Sequence, residues 1–216
     1  MRKILLCAIL IAGCVVSVLA QTDQKAKEIL AAVSKKYSSY NTIKTGFTYT
    51  ISNPQANINQ SESGTLYTQS KTNKYRVVMK DQELISDGKS QWTYLKEDKE
   101  VQLNTVDNSS TALNPAQIFT IYKKGYKYIY TGDVKQSGRV YHVIELSPTD
   151  TKQSFFKVRL TIDKITKNIS KALIFDKNGS RYTYTINTFT PNANVPETMF
   201  SFDVKQYPGV ELVDLR

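Results

Sequence analysis

His142 is the only histidine of the chain, and histidine is the side chain best suited to moving a proton near neutral pH. It lies in a run where Val140, Ile144 and Leu146 alternate with it, so it shares an apolar strand face. No acid or nucleophile stands at a spacing that would pair with it, and the expectation is a satisfied core or cavity histidine. Other catalytic ingredients are missing too. No group of His, Cys, Asp and Glu has metal-ligand spacing. There is no glycine-rich phosphate loop and no G-x-S-x-G elbow. Asp87 and Asp163 fall at strand ends or turns and read as turn formers. Sequons at Asn59, Asn108, Asn168 and Asn178 read as chance matches in a chain rich in Asn, Ser and Thr. The sequence therefore points away from an enzyme and calls for no cofactor or metal.

What the chain does carry is amphipathic aromatic surface, with 14 tyrosines, 8 phenylalanines and one tryptophan. Tyrosine forms strands well and can line an apolar pocket while keeping one end polar. The segment Ile85-Ser86-Asp87-Gly88-Lys89-Ser90-Gln91-Trp92-Thr93-Tyr94 concentrates this chemistry. Asp-Gly suits a tight hairpin turn, and Trp92 and Tyr94, two apart, share one face of the outgoing strand.

The elements that must position these side chains are legible. Ala26, Ile29, Leu30, Val33 and Tyr37 form one stripe at helical spacing, and Thr22 or Asp23 can cap that helix. Ile43, Thr45, Phe47, Tyr49 and Ile51 alternate as a strand, and residues 52–61 read as a polar loop. Strands are expected at 64–68, 75–79, 84–85, 92–95 and 101–103. Residues 114–122 read as a short helix with Asn114 as N-cap, Pro115 at its first position and Gly125 at its end. Five more strands fit 126–130, 140–146, 155–162, 169–175 and 182–189. Short alternating strands at this spacing argue a mainly β fold. It is a curved antiparallel sheet that curls into a barrel or half-barrel, with two short helical segments.

The first twenty residues read as an address. Arg2 and Lys3 precede an apolar run from Ile4 to Leu19, and Ala20 is a small residue before polar Gln21. This is secretory signal anatomy, with cleavage expected after Ala20. A competing pattern, Ile11-Ala12-Gly13-Cys14, resembles a lipobox, but the apolar run continues past Cys14 where a lipoprotein normally turns polar. Both cysteines, Cys7 and Cys14, fall in this segment, so the expected mature chain has no disulfide and no thiolate. Removing 20 of 216 residues leaves 196, enough for a single all-β domain over 21–216. Without Arg2 and Lys3, 27 basic side chains face 19 acidic ones, a net +8. Such a charge serves solubility or attracts anionic membrane surfaces and acidic docking partners.

One family carries this order of motifs. Gly64-Thr65-Leu66-Tyr67, then Lys74-Tyr75-Arg76-Val77-Val78-Met79, then Ser86-Asp87-Gly88-Lys89 with Trp92 and Tyr94, resembles the LolA-type periplasmic outer-membrane lipoprotein carrier proteins. Val158 to Lys164, with Ile169, Leu173, Asp176 and Gly179, is similar to that family's late strand pair. Phe200-x-Phe202 and Pro208 to Leu212 are similar to its ending. The resemblance implies an incomplete barrel of the LolA/LolB kind, closed by helices. Acyl chains of a lipoprotein would enter between sheet and lid.

The cavity residues it implies are Val33, Tyr37, Phe47, Tyr49, Tyr75, Val77, Trp92, Ile118 and Phe119. The family often holds its lid with an arginine that precedes a proline. The nearest counterpart here is Lys71 before Thr72, which offers a point charge instead of a planar fork, so Arg76 is the other candidate latch. The implied partners are acylated lipoproteins, an inner-membrane lipoprotein-releasing transporter and an outer-membrane acceptor, with no nucleic acid. The implied form is a periplasmic monomer. Two other functions fit the same half-barrel: a lipid- or peptide-binding sensor of an envelope regulator, or a lipid-anchored acceptor if Cys14 is processed.

Overall fold

The computed structural model describes residues 24–106, 118–120, 122 and 125–216. The signal segment and Asn114-Pro115 lie outside these residues. The chain opens with a helix, α1, over residues 24–38. Its stripe of Ala26, Ile29, Leu30, Val33 and Tyr37 is buried throughout, while Lys27, Glu28, Ala31 and Lys35 are exposed. The 3.6-residue period thus sets which side meets the sheet.

Among the described residues, twelve strands follow. They are β1 (Thr42–Asn53), β2 (Ile58–Gln69), β3 (Lys74–Val78), β4 (Gln82–Asp87), β5 (Ser90–Leu95) and β6 (Glu100–Thr105), then β7 (Tyr126–Gln136), β8 (Arg139–Pro148), β9 (Phe155–Asp163), β10 (Ile169–Asp176), β11 (Arg181–Pro191) and β12 (Glu211–Asp214). They form one open sheet in the order β12-β6-β5-β4-β3-β2-β1-β11-β10-β9-β8-β7. Every pairing is antiparallel except β12 with β6, which is parallel. The expected mainly β, incomplete barrel is what forms. Its two end strands do not meet, and the central strands wrap α1 on one face, here called the inner face.

One expectation about the strands changes. Residues 52–61 are not a loop: β1 and β2 stay paired out to Asn53 opposite Ile58. Pairing there runs through the backbone and through hydroxyls such as Thr50 Oγ1 against Ser61 Oγ at 2.7 Å, so polarity does not end the strands. The turn itself is set by Asn53, whose Oδ1 accepts the amides of Gln55 and Ala56, both at 3.1 Å. Of the short second helix expected over 114–122, the described residues Ile118, Phe119 and Tyr122 are in 3-10 conformation, and Gly125 follows at φ 81°. The Asp87 hairpin matches its chemistry: Gly88 has φ 94°, and Asp87 Oδ1 accepts the amides of Lys89 at 2.8 Å and Ser90 at 2.7 Å.

Candidate ligand-binding face

Cross-strand register assigns every strand residue to a face. Tyr75 opposes Ser86, Val77 opposes both Leu66 and Leu84, and Leu66 opposes Thr45. From Thr45 the same face continues through Ile43, Phe47 and Tyr49 to Phe189, Ile186 and Tyr184 on β11. It then passes to Ala172 and Ile174, to Leu160 and Val158, and to Ile144 and Leu146. These residues and the stripe of α1 form one apolar cluster with Ile118, Phe119 and Tyr122, and Tyr49 is partly buried against it. Val33, Tyr37, Phe47, Tyr75, Val77, Ile118 and Phe119 therefore meet on the inner face.

Trp92 does not join them. It opposes Ile85 and Leu103, which lie on the outer face, and Arg76 opposes Ile85 from the same side. The sheet exchanges its apolar side along its width. On β5 and β6 the inner face carries Gln91, Thr93, Gln102 and Asn104, while the outer face carries Trp92, Tyr94, Val101 and Leu103. The C-terminal segment covers that outer patch. The 3-10 turn Glu197–Phe200 lies against β3 and β4, with Phe200 buried. Tyr207 meets Tyr94 edge-on at 5.0 Å and stacks on Phe202 at 4.6 Å. Alternation defines two faces without saying which is inside, and register moves Trp92 from the expected cavity to the outer face.

The latch residues are also displaced from the lid. Lys71 is exposed in the β2–β3 turn with φ 63°. The Arg76 guanidinium donates to Glu83 Oε2 at 2.6 and 3.0 Å and to the Tyr207 hydroxyl at 2.9 Å. Burial works against that charge, but Glu83 and Tyr207 more than offset it and raise the Arg76 pKa. Arg76 thus fastens the C-terminal segment to the outer face.

The attachment of α1 comes from its last turn. Lys36 Nζ donates to the Thr166 carbonyl and, at 2.6 Å, to Asn168 Oδ1. One residue on, the Tyr37 hydroxyl accepts the Ile169 amide at 3.0 Å. A register shift between Ile169 and Lys171 loosens the ladder at this point. At the other end, Lys25 Nζ lies 4.0 Å above the Tyr130 ring. The Tyr37 ring also contacts Phe119 at 4.9 Å and Phe189 at 5.6 Å, which joins α1, the 3-10 turn at Ile118 and Phe119, and β11.

His142 is buried, as expected, but an acid is paired with it. Its Nδ1 lies 2.6 Å from Asp133 Oδ1, which also accepts from Tyr130 at 2.6 Å, while Lys164 donates to Asp133 Oδ2 at 3.0 Å. Burial would raise the Asp133 carboxyl, yet these donors hold it well below the usual carboxylate range. Sequence spacing conceals the pair because a shift between Tyr130 and Gly132 changes which β7 residue faces His142. Among the described residues, no group of three or more His, Cys, Asp or Glu side chains is arranged to hold a metal ion.

The inner face is unusually rich in tyrosine. Burial pushes the Tyr49 hydroxyl up to about 12 and moves Tyr37, Tyr122 and Tyr184 upward as well. These rings stay neutral and offer hydroxyls without charge. Among the described residues, two buried hydroxyls, on Thr45 and Tyr122, have no hydrogen-bond partner.

The inner face is thus one apolar surface closed by a helix and by 3-10 turns. The sequence profile of the family described as outer membrane lipoprotein carrier protein LolA matches residues 38–203. The chain belongs to the LolA family. Among solved structures, an uncharacterized conserved protein from Thermus thermophilus is similar at a TM-score of 0.57 and 15% identity, over 88% of this chain and 99% of that one. A DUF1329 family protein from Desulfovibrio piger reaches 0.50 at 11% identity, over 83% and 97%. A LolA superfamily protein from Nitrosomonas europaea reaches 0.45 at 11%, over 80% and 97%. At such identities, the first two likenesses show the fold alone. No curated protein sequence matches the chain significantly. In this LolA-family chain, then, the helix stays attached through Lys36 and Tyr37. Neither residue could be chosen from the family's latch pattern, since their partners are a carbonyl, an amide side chain and a backbone N–H.

Proposed function

We propose that this protein is a periplasmic carrier that takes up lipoprotein acyl chains between α1 and the inner face of the sheet and moves them from the inner to the outer membrane. The observation that supports the reading is the apolar cluster joining α1, Ile118, Phe119 and Tyr122, and strands β1–β3 and β8–β11 on one face, within a chain of the LolA family. Val33, Tyr37, Phe47, Tyr49, Tyr75, Val77, Ile118 and Phe119 are the proposed cargo contacts. No enzymatic step belongs to this reading. The chain is secreted, with cleavage after Ala20, and its partners are a lipoprotein-releasing transporter and an acceptor. Among the described residues no helix is long and apolar enough to cross a membrane.

Binding and packing share the same residues, so cargo must displace the helix. One chain of about fourteen methylenes gains roughly 11 kcal/mol on full burial, at about 0.8 per methylene. Three such chains would pass the practical ceiling of roughly 18–21 kcal/mol for non-covalent affinity. Lifting α1 costs its own burial and the Lys36 and Tyr37 attachments, which lowers net affinity to a value compatible with release. The test is the composition of what stays bound after purification from the protein's own cells. Acylated lipoprotein, recovered with protein beginning at Gln21, supports the carrier. A diacylated protein beginning at Cys14 would replace it with a lipid-anchored acceptor.

A further inference from the structure

The outer face has two parts with opposite character. Under the C-terminal segment it is apolar and covered. On the strands from β7 to β11 it is basic and open. Register puts Lys127 of β7, Lys157 and Arg159 of β9, Lys171 of β10 and Arg181 of β11 on this face, and Lys44 extends it onto β1. The acid in its midst is Glu145, which holds Arg159 at 2.7 Å and Lys157 at 3.3 Å. Asp163, at the end of β9, is buried and held by Arg139 at 3.3 Å. Among the described residues no ion pair holds Lys127, Lys171 or Arg181.

Apolar groups stand between these cations. Ile129, opposite Glu145, is 50% exposed, and Phe156, at the β9–β10 bulge, is 51% exposed. The Phe156 ring lies 6.1 Å from that of Phe175. Three cations surround Phe175, with Lys157 at 4.5 Å, Arg159 at 5.4 Å and Arg181 at 5.8 Å from the ring centre.

We propose that this face docks the protein on an anionic phospholipid bilayer. The cations lie on four strands of the span from β7 to β11, roughly 19 Å across at about 4.8 Å per strand: Lys157, Arg159 and Arg181 gather around Phe175, and Lys127 and Lys171 stand on other strand positions of the same face. That spacing suits many phosphates side by side, where a single phosphate would need a convergent cradle and an acidic peptide a groove. Ile129 and Phe156 can enter the headgroup layer while the cations meet the phosphates. The inner face stays free, because the docking side chains point the opposite way from Tyr75 and Val77. The inference concerns approach to a membrane and does not depend on what the inner face carries.

The test is co-sedimentation of the protein, purified from its host's envelope fraction, with vesicles of phosphatidylcholine alone or with a third phosphatidylglycerol. The readout is the difference between the two vesicle types, since an apolar N-terminus would bind both alike. The protein should prefer anionic vesicles at least tenfold, and 0.5 M salt should abolish the preference. K171Q together with R181Q should cut affinity for the anionic vesicles about 25-fold, at about fivefold per cation, or down to the level of phosphatidylcholine alone. K80Q with K89Q, of equal charge change but at the far end of the sheet, should leave it intact. Equal binding to both vesicle types, or an equal loss in the two double variants, overturns the proposal. Absence of vesicle binding together with Lys171-dependent retention of an acidic protein overturns it in favour of a protein partner. Cargo crosslinking from position 75 reports on the carrier reading separately.

Discussion

The hydroxyl of Tyr37 accepts the backbone N–H of Ile169 at 3.0 Å, across 132 positions of sequence. The bond is buried, and it ties the last full turn of α1 to the first residue of β10. Its neighbour Lys36 reaches the loop just before it. The hydrogen bonds that hold α1 to the β9–β10 turn therefore gather at its C-terminal end.

Tyr37→Phe keeps the ring among Phe119 and Phe189 but leaves the Ile169 amide without its acceptor. A buried unsatisfied donor costs about 1–3 kcal/mol. Urea unfolding should show that loss, and amide exchange at Ile169 should speed up more than at Ile162. Unchanged exchange at Ile169 would mean that α1 is held elsewhere.

Gly64 lies opposite Phe47. A Cβ there would sit 2.6 Å from Phe47 Cζ and 3.1 Å from the Val78 carbonyl. Gly64→Ala should destabilise the fold by about 1–3 kcal/mol through overpacking. Adding Phe47→Leu should recover part of the loss, a coupling that a double-mutant cycle reads directly. Simple additivity would show that the ring is not what the methyl meets.

Glu83 and Arg76 are both largely buried and face away from α1. Glu83→Gln leaves the guanidinium short of its charge partner, at a cost of about 3 kcal/mol for a buried pair broken from one side. It should also speed proteolysis within residues 197–207 while leaving α1 protected. Loss of α1 protection would restore Arg76 as the lid's latch.

Asp133 and Asp163 both have folded pKa values below the ordinary carboxylate range. Burial opposes this in each case. Hydrogen bonds from Tyr130, His142 and Lys164 prevail at Asp133, and those from Thr166, Ile165 and Arg139 prevail at Asp163. A depressed folded pKa contributes stability that is present above the unfolded value of about 4 and is lost as pH falls toward the lower folded value. The melting temperature should hold between pH 7 and about 5 and fall below about 4. Asp133→Asn should lower it at pH 7 and differ less from the parent at pH 3. An equal gap at both pH values would contradict the assignment.

The parts of this architecture that rest on periodicity are readable from the residues. The α1 stripe and the alternation of β1 follow from side-chain spacing alone, and the turn at Asp87-Gly88 from its residue types. The rest depends on register and sidedness. Trp92 and Tyr94 share a face as expected, yet nothing in a strand's own sequence says that β5 turns its apolar side outward under Phe200 and Tyr207. Pairing of residues 50–53 with 58–61 runs through backbone groups and the hydroxyls of Thr50 and Ser61, so a polar composition there does not mark a loop. The Asp133–His142 pair depends on a bulge at Gly132, and β12 is a four-residue strand whose parallel pairing to β6 joins segments far apart in the chain. Likewise, the stripe places Tyr37 on the buried side of α1, but its bond to Ile169 is tertiary.

The carrier reading is tested most directly by site-specific photo-crosslinking in the protein's own cells, with the reactive group at position 75 and, in parallel, at position 76. The account predicts lipoprotein adducts from 75, on the inner face with Val77, and none from 76, which points to Glu83 and Tyr207. Adducts from 76 alone, or non-lipidated partners alone from 75, would contradict it.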